Sequence, residues 1–191
     1  MTKTIGRAFI LFLVLACITG VIYPLVITGI TTLVFPAQAH GSLLYKNGQV
    51  IGSALIGQDF SDARYFHGRP SSAGEKGYDG TSSGGSNWGP TNKNLISTVK
   101  ERADQVKAAN GLEPNDPVPS DLVTASASGL DPHISEPAAS LQIARVARTR
   151  NISENKVKLL VEKYTEQPQF GFLGEPRVNV LKLNLALDAL K

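Results

Sequence analysis

The stretch AFILFLVLACITGVIYPLVITGITTLVFPAQ, residues 8–38, contains no charged side chain, and the two charges before it, Lys3 and Arg7, are both positive. A helix rises about 1.5 Å per residue and a bilayer core is about 30 Å thick, so roughly 20 apolar residues are enough to cross it. The run is long enough to span a membrane once. Lys and Arg beside a span favour the cytoplasmic side. This predicts residues 1–7 in the cytoplasm, a transmembrane helix over 8–35, and residues 36–191 outside the cytoplasm. Two processed alternatives fit less well. Ala37-Gln38-Ala39 has the small-x-small form of a cleavage site, but the apolar run is about twice a signal peptide's usual 7–15 residues. Cys17 follows Leu15-Ala16 as a lipid-modified cysteine would, yet the apolar helix continues beyond it to Phe35. A small apolar residue in a membrane helix accounts for it.

The span carries more than an anchor requires. Gly20, Pro24 and Gly29 interrupt it, and Pro24 removes a backbone donor in mid-membrane, which predicts a kink near Tyr23. Thr19, Thr28, Thr31 and Thr32 are available to satisfy freed groups. Ala16 and Gly20 form a small-xxx-small pair. Ala16, Gly20, Tyr23 and Pro24 are therefore the candidate positions for packing against other membrane helices.

Composition limits what the outer part does. The chain has 19 Lys and Arg against 16 Asp and Glu, and with Lys3 and Arg7 before the span the remainder is nearly neutral. That balance excludes the basic footprint of a nucleic-acid binder. The one cysteine lies in the span, so the outer part has no disulfide and no thiolate metal site. With 18 Gly and 11 Pro, much of it is loop.

Leu43–Tyr45 and Gln49–Ile56 flank Lys46-Asn47-Gly48, where Asn-Gly suits a tight hairpin turn. Pro70 to Pro90 is rich in Gly and Ser and reads as a long loop. A helix capped at Thr91 or Asn92 carries Ile96, Val99, Ala103 and Val106 on one stripe and stops at Gly111. Pro114, Pro117 and Pro119 mark a linker. A second helix follows Ser135, with Pro137 in its first turn, and runs to about Thr149. Ser153 caps a third, with Val157, Leu160, Val161 and Tyr164 as its stripe. Arg177–Leu183 alternates as a strand does, and Asn184–Leu190 reads as a short helix. The predicted fold is α+β: one N-terminal transmembrane helix, then a single helix-rich extracytoplasmic domain with few strands. The pattern leaves strand order open.

Catalytic motifs are missing. Gly80 and Gly85 have the separation of the two P-loop glycines, but Ser86 and Asn87 stand where Lys and Ser or Thr are required. Asp79-Gly80-Thr81 lacks the Asp-Lys-Thr-Gly context of a phosphorylated aspartate. No His-Glu-x-x-His or Gly-x-Ser-x-Gly occurs. Asp131 and His133, with Asp121 upstream, could polarise a water, but Leu130-Asp131-Pro132-His133 reads as a turn entering a helix. His67 reads as a local or interfacial hydrogen-bonding residue. No catalytic residue and no metal site is assigned.

Several segments carry a family resemblance. They are Gly41-Ser42-Leu43, Gly52–Gln58 (GSALIGQ), Tyr65–Ser71 (YFHGRPS), Leu122–Asp131 (LVTASASGLD), Arg145-Val146-Ala147, Val178-Asn179-Val180 and Leu183–Asp188 (LNLALD). Together with Tyr23-Pro24 they resemble the C subunit of the bacterial potassium-transporting ATPase, the Kdp pump. The resemblance implies a four-part complex in the inner membrane. Its other members are a channel-like potassium-binding subunit, a P-type ATPase subunit and a small membrane subunit. It implies a non-catalytic accessory role, in assembly and in raising the ATP affinity of the hydrolysing subunit, with no tightly bound cofactor and ATP met only through the complex. The segment implied for nucleotide contact is Ser83-Gly84-Gly85-Ser86-Asn87, which resembles the Ser-Gly-Gly signature of ABC ATPases; a surface loop is its plainer reading. An outside location for this loop conflicts with direct contact to cytoplasmic ATP. The alternative function is a membrane-anchored envelope hydrolase or solute-binding domain, which would work without partners.

Overall fold

Pro24 has no backbone N–H, and its ring presses on the carbonyl one turn back, so an uninterrupted α-helix through this region is costly. The computed structural model, which describes residues 2–190, relieves this with a widened turn. Helix α1 runs Thr2–Cys17, a π-turn covers Ile18–Ile22, and α2 runs Tyr23–Val34 with Pro24 in its first turn. The Tyr23 amide donates to the Ile18 carbonyl across the π-turn. A π-turn therefore lies just before the proline, next to the position where a kink is expected. Thr2–Val34 is long and apolar enough to cross a membrane, and none of its side chains is buried. Thr19 Oγ1 donates to the Leu15 carbonyl (2.8 Å), Thr31 to Ile27 (2.9 Å) and Thr32 to Thr28 (2.7 Å). These hydroxyls bond one turn back on their own helix, and none of the three reaches the carbonyls that Pro24 releases.

Phe35, at φ −131°, ends α2, and Pro36 opens the single turn α3, Pro36–Ala39. Strands β1 (Leu43–Lys46) and β2 (Gln49–Ser53) then pair. Asn47 and Gly48 sit at φ 53° and 78°, the left-handed pair that a type I′ hairpin needs. The chain divides into two compact units between Ile51 and Gly52.

In the second unit, α4 spans Lys93–Asn110, capped by Asn92, whose side chain accepts the Asn94 amide, and closed by Gly111 at φ 69°. Its predicted stripe is only half-buried at Val99, Ala103 and Val106, and Ile96 stays exposed. Helix α5 (Glu136–Arg150) is capped by Ser135 Oγ on the Ala138 amide, with Pro137 in its first turn and Asn151 in the left-handed region at its end. Helix α6 (Glu154–Tyr164) packs on α5 and on α7 (Val180–Ala189).

The alternation over Arg177–Leu183 does not form one strand. The sheet order is β3-β5-β4, all antiparallel, from His133–Ser135, Arg177–Asn179 and Thr165–Glu166. The strand stops at Asn179 because that side chain accepts the Lys182 amide (3.1 Å) and caps α7. Val180, Leu183, Asn184 and Leu187 then form a buried helical face. Polar Asn184 hides that face from a hydropathy reading. Ile134, Val146, Val157, Val161, Val178, Leu183 and Leu187 share one core between sheet and helices. The result is the expected α+β domain, rich in helix with few strands.

Candidate functional site

Residues 63–69 lie in a stretch that forms no helix or strand, so their peptide groups must find partners elsewhere. Side chains supply them. Phe66 is fully buried; its N–H donates to Asn184 Oδ1 (2.9 Å) and its carbonyl accepts from Asn184 Nδ2 (2.9 Å). The His67 N–H donates to Gln142 Oε1 (2.8 Å), and its carbonyl accepts from Gln142 Nε2 (3.2 Å). Arg145 completes the clamp. Its Nη1 donates to the carbonyls of Ala63 and Tyr65, its Nη2 to Gln142 Oε1 (2.6 Å), and its Nε to Asn110 Oδ1 (3.0 Å). Burial lowers the Arg145 pKa to about 10. The His67 ring lies 3.2 Å from the Asp62 carbonyl, a local bond of the kind the sequence reading expects. Burial, and then the Arg145 charge, hold the His67 pKa below its ordinary value.

Gln142 is not picked out by the sequence reading, and Arg145 enters it only as the first residue of the Arg145-Val146-Ala147 segment. The available signal was a polar pair three residues apart on the helix face that also buries Ala138, Ala139 and Val146.

The Gly-rich segment is tied down as firmly. Ser71 Oγ donates to the Gly129 carbonyl (2.6 Å) and accepts the Tyr78 amide (2.7 Å). The Tyr78 hydroxyl donates to the Arg69 carbonyl (2.6 Å); burial, with Asp59 nearby, pushes its pKa up to about 12. The Gly84 N–H and the Ser83 hydroxyl both donate to the Ser128 carbonyl, each at 2.9 Å. Gly129, at φ 67°, has no room for a side chain: a Cβ there would lie 2.5 Å from the Gly84 carbonyl oxygen and 2.7 Å from the Ala73 nitrogen. Of the five residues implied for nucleotide contact, Gly85 and Ser86 line a cleft of about 640 Å³ with Lys76, Trp88 and Arg102. Ser83 and Gly84 are committed to Ser128, and Asn87 holds a left-handed turn at φ 53°. The cleft offers two cations, the Glu75 carboxylate and an indole, and of the segment's amides Gly84 already has a partner.

Asp131 and His133 belong to a chain of polar and charged side chains. Arg69 Nη1 lies 3.3 Å from Asp131 Oδ2, and Asp131 Oδ1 accepts the His133 amide (3.0 Å). His133 Nε2 lies 3.7 Å from Glu166, which also holds Lys182 (2.9 Å) and Arg177 (3.4 Å). Burial opposes ionisation of Asp131, but bonding from His133 and the Arg69 charge keep its pKa below the ordinary value. Glu166 behaves likewise, with burial opposed by Lys182, His133 and Arg177. Asp121 accepts the Ser135 amide (2.6 Å). Each of these three carboxylates braces local structure. Among the described residues no group of three or more His, Cys, Asp or Glu is placed to hold a metal ion.

Residues 5–189 match the family described as K+-transporting ATPase, c chain. The chain belongs to this family. The potassium-transporting ATPase KdpC subunit of Methylococcus capsulatus is 58% identical over 186 residues, covering 96% of each chain. The KdpC subunit of Gemmatimonas aurantiaca is 54% identical over 190 residues, covering all of this chain and 94% of that one. That of Polaromonas naphthalenivorans is 55% identical over 193 residues, with 100% and 97% covered. The c-chain match begins within α1 and ends at the last residue of α7, so the apolar helix is as much a part of the family as the α+β domain. Within that helix, Ala16 lies near the end of α1, Gly20 inside the π-turn, and Tyr23 and Pro24 at the start of α2. The Ala16–Gly20 spacing therefore crosses the π-turn. Beyond its chain neighbours and the backbone of its own helix, a Cβ at Gly20 would meet no atom within 4 Å.

Proposed function

We propose that this chain is the non-catalytic accessory subunit of an ATP-driven potassium uptake pump in a bacterial inner membrane. Its partners in this reading are a channel-like potassium-binding subunit, a P-type ATPase subunit and a small membrane subunit. The observation that carries the proposal is the c-chain family match over residues 5–189, which includes both the span and the domain. The chain's own chemistry agrees: it offers neither a P-loop lysine nor a phosphorylatable aspartate motif, so hydrolysis falls to a partner. Lys3 and Arg7 ahead of the span support a cytoplasmic N-terminus and a domain outside the cytoplasm. Family membership favours this over a free-standing envelope hydrolase or solute-binding domain.

Its task is assembly, together with raising the ATP affinity of the hydrolysing subunit. That second effect could run through direct contact at Ser83–Asn87 or through packing of the span at Ala16, Gly20, Tyr23 and Pro24. The commitment of Gly84 to Ser128 and the positive-inside orientation both favour the span.

Purifying the tagged full chain from membranes tests the reading. The preparation should contain the other pump subunits, and a pump lacking this chain should need more ATP for the same hydrolysis rate. A chain recovered with no pump subunit contradicts the proposal. Changing Gly84 to Ala, where a Cβ has open space, should leave the ATP dependence of the assembled pump unchanged; a shift toward higher ATP would restore the direct route.

A further inference from the structure

Outside the span, the two most exposed large apolar side chains among the described residues, Phe170 and Phe172, stand with Leu173 on one turn. Phe170 is 87% exposed, Phe172 74% and Leu173 48%. They occupy the tip of the connection between β4 and β5, whose base pairs Glu166 with Arg177. The tip is built, not frayed. Gln169 and Leu173 exchange backbone hydrogen bonds in both directions (3.0 and 2.9 Å), the Gly171 N–H donates to the Pro168 carbonyl (3.0 Å), and the Phe172 N–H donates to the Gln169 carbonyl (3.3 Å). Phe170 holds φ 55°, a left-handed conformation that bulky side chains avoid. Below it, Lys182 and Arg177 fix Glu166. A strained backbone that keeps two aromatic rings in water contributes nothing to the folding of this domain, and exposed apolar clusters of this kind mark interaction sites. Pre-ordered aromatic side chains make strong binding anchors, because little freedom remains to be lost when they dock.

Two occupants compete, the bilayer surface and another protein. Membrane-surface anchors combine Trp or Tyr with Lys and Arg, which meet anionic headgroups. The segment TEQPQFGFLGEP, residues 165–176, has two glutamates and no Lys, Arg, Trp or Tyr. Glu166 is already held by Arg177 and Lys182, which leaves the Glu175 carboxylate as the charge beside the turn. That charge is wrong for an anionic surface and suits a cation on a partner's rim.

We infer that the Phe170–Leu173 turn is a plug that seats in an apolar, basic-rimmed pocket on another subunit of the pump; this rests on the accessory-subunit reading above. The test places the photoreactive analogue p-benzoylphenylalanine at Phe172 of the tagged full chain, expressed with the rest of the pump and irradiated in membranes. A covalent adduct with a pump subunit is expected, absent when the probe replaces Leu159, an exposed residue of α6. The double variant Phe170→Ser, Phe172→Ser should lower retention of the chain on the pump by about tenfold or more, with its circular dichroism and melting unchanged. Adducts with lipid alone, equal adducts from both probe sites, or undiminished retention would each overturn the inference. If the wild-type chain carries no pump subunit, the accessory reading falls with it. If it carries them and the Phe172 probe stays silent, only the plug is lost.

Discussion

The span and the domain beyond it treat polar groups in opposite ways. Along Thr2–Val34 no side chain is buried, and the hydroxyls of Thr19, Thr31 and Thr32 bond back to their own helix. In the domain, Gln142, Asn184 and Arg145 are almost wholly buried, and each holds a backbone segment distant in sequence. One region is specified by composition and can be repacked by whatever surrounds it. The other is specified by hydrogen bonds that only particular side chains make. Substitutions in the first should therefore disturb assembly, and substitutions in the second should disturb folding.

Arg145→Met should produce the largest loss of stability. It strips the Ala63 and Tyr65 carbonyls, Gln142 Oε1 and Asn110 Oδ1 of one donor group in a buried setting. The expected cost is about 3 kcal/mol. Urea unfolding of the full chain in detergent, followed by the fluorescence of Trp88, measures it. Asn184→Leu comes next, at about 2 kcal/mol, since both the N–H and the carbonyl of buried Phe66 lose their partner. Losses no larger than those from changes in the span would erase the contrast.

The contrast also explains what could be read from the chain before its structure. Asn47-Gly48, the Asn92 and Ser135 caps and the Gly111 stop are local devices, decided by residues within about four positions. The clamp is not local: Gln142 acts on His67 across 75 positions and Asn184 on Phe66 across 118. The anchoring of Ser83 to Ser128, 45 positions away, was hidden for the same reason, whereas the end of β5 at Asn179 is a local cap on the Lys182 amide, masked by polar Asn184 in the buried face of α7. The family motifs were legible as strings, and their physical meaning appears only in three dimensions. Tyr65–Ser71 and Leu122–Asp131 are bound to each other through Arg69–Asp131 and Ser71–Gly129. Leu183–Asp188 holds the first of them through Asn184–Phe66 and Tyr65–Asp188.

A smaller effect should appear with acid. His67 has a pKa lowered by burial and by Arg145, so the folded chain resists its protonation while the unfolded chain takes up the proton near the ordinary value of about 6.5. Stability should be full above that pH and fall as pH drops below it, toward the folded value. Asp131 and Glu166, whose pKa values are lowered, lose their contribution only at and below the ordinary carboxylate range of about 4. Over the interval from about pH 6.5 to 5, His67→Gln should therefore flatten the stability profile. An unchanged slope would detach His67 from the clamp.

The smallest effect on folding should come from Gly20→Leu, within about 0.5 kcal/mol for the domain. The same change should lower recovery of the assembled pump, because the added side chain holds a neighbouring helix away. Domain unfolding after Gly20→Leu would remove the division of labour between the two regions.

Withdrawing this chain from the purified pump and adding it back tests the accessory role most directly. Potassium-stimulated ATP hydrolysis, measured across ATP concentrations, should shift to higher ATP without the chain and return when it is restored, while the chain alone hydrolyses none. Hydrolysis that is indifferent to the chain, or turnover by the chain alone, would contradict it.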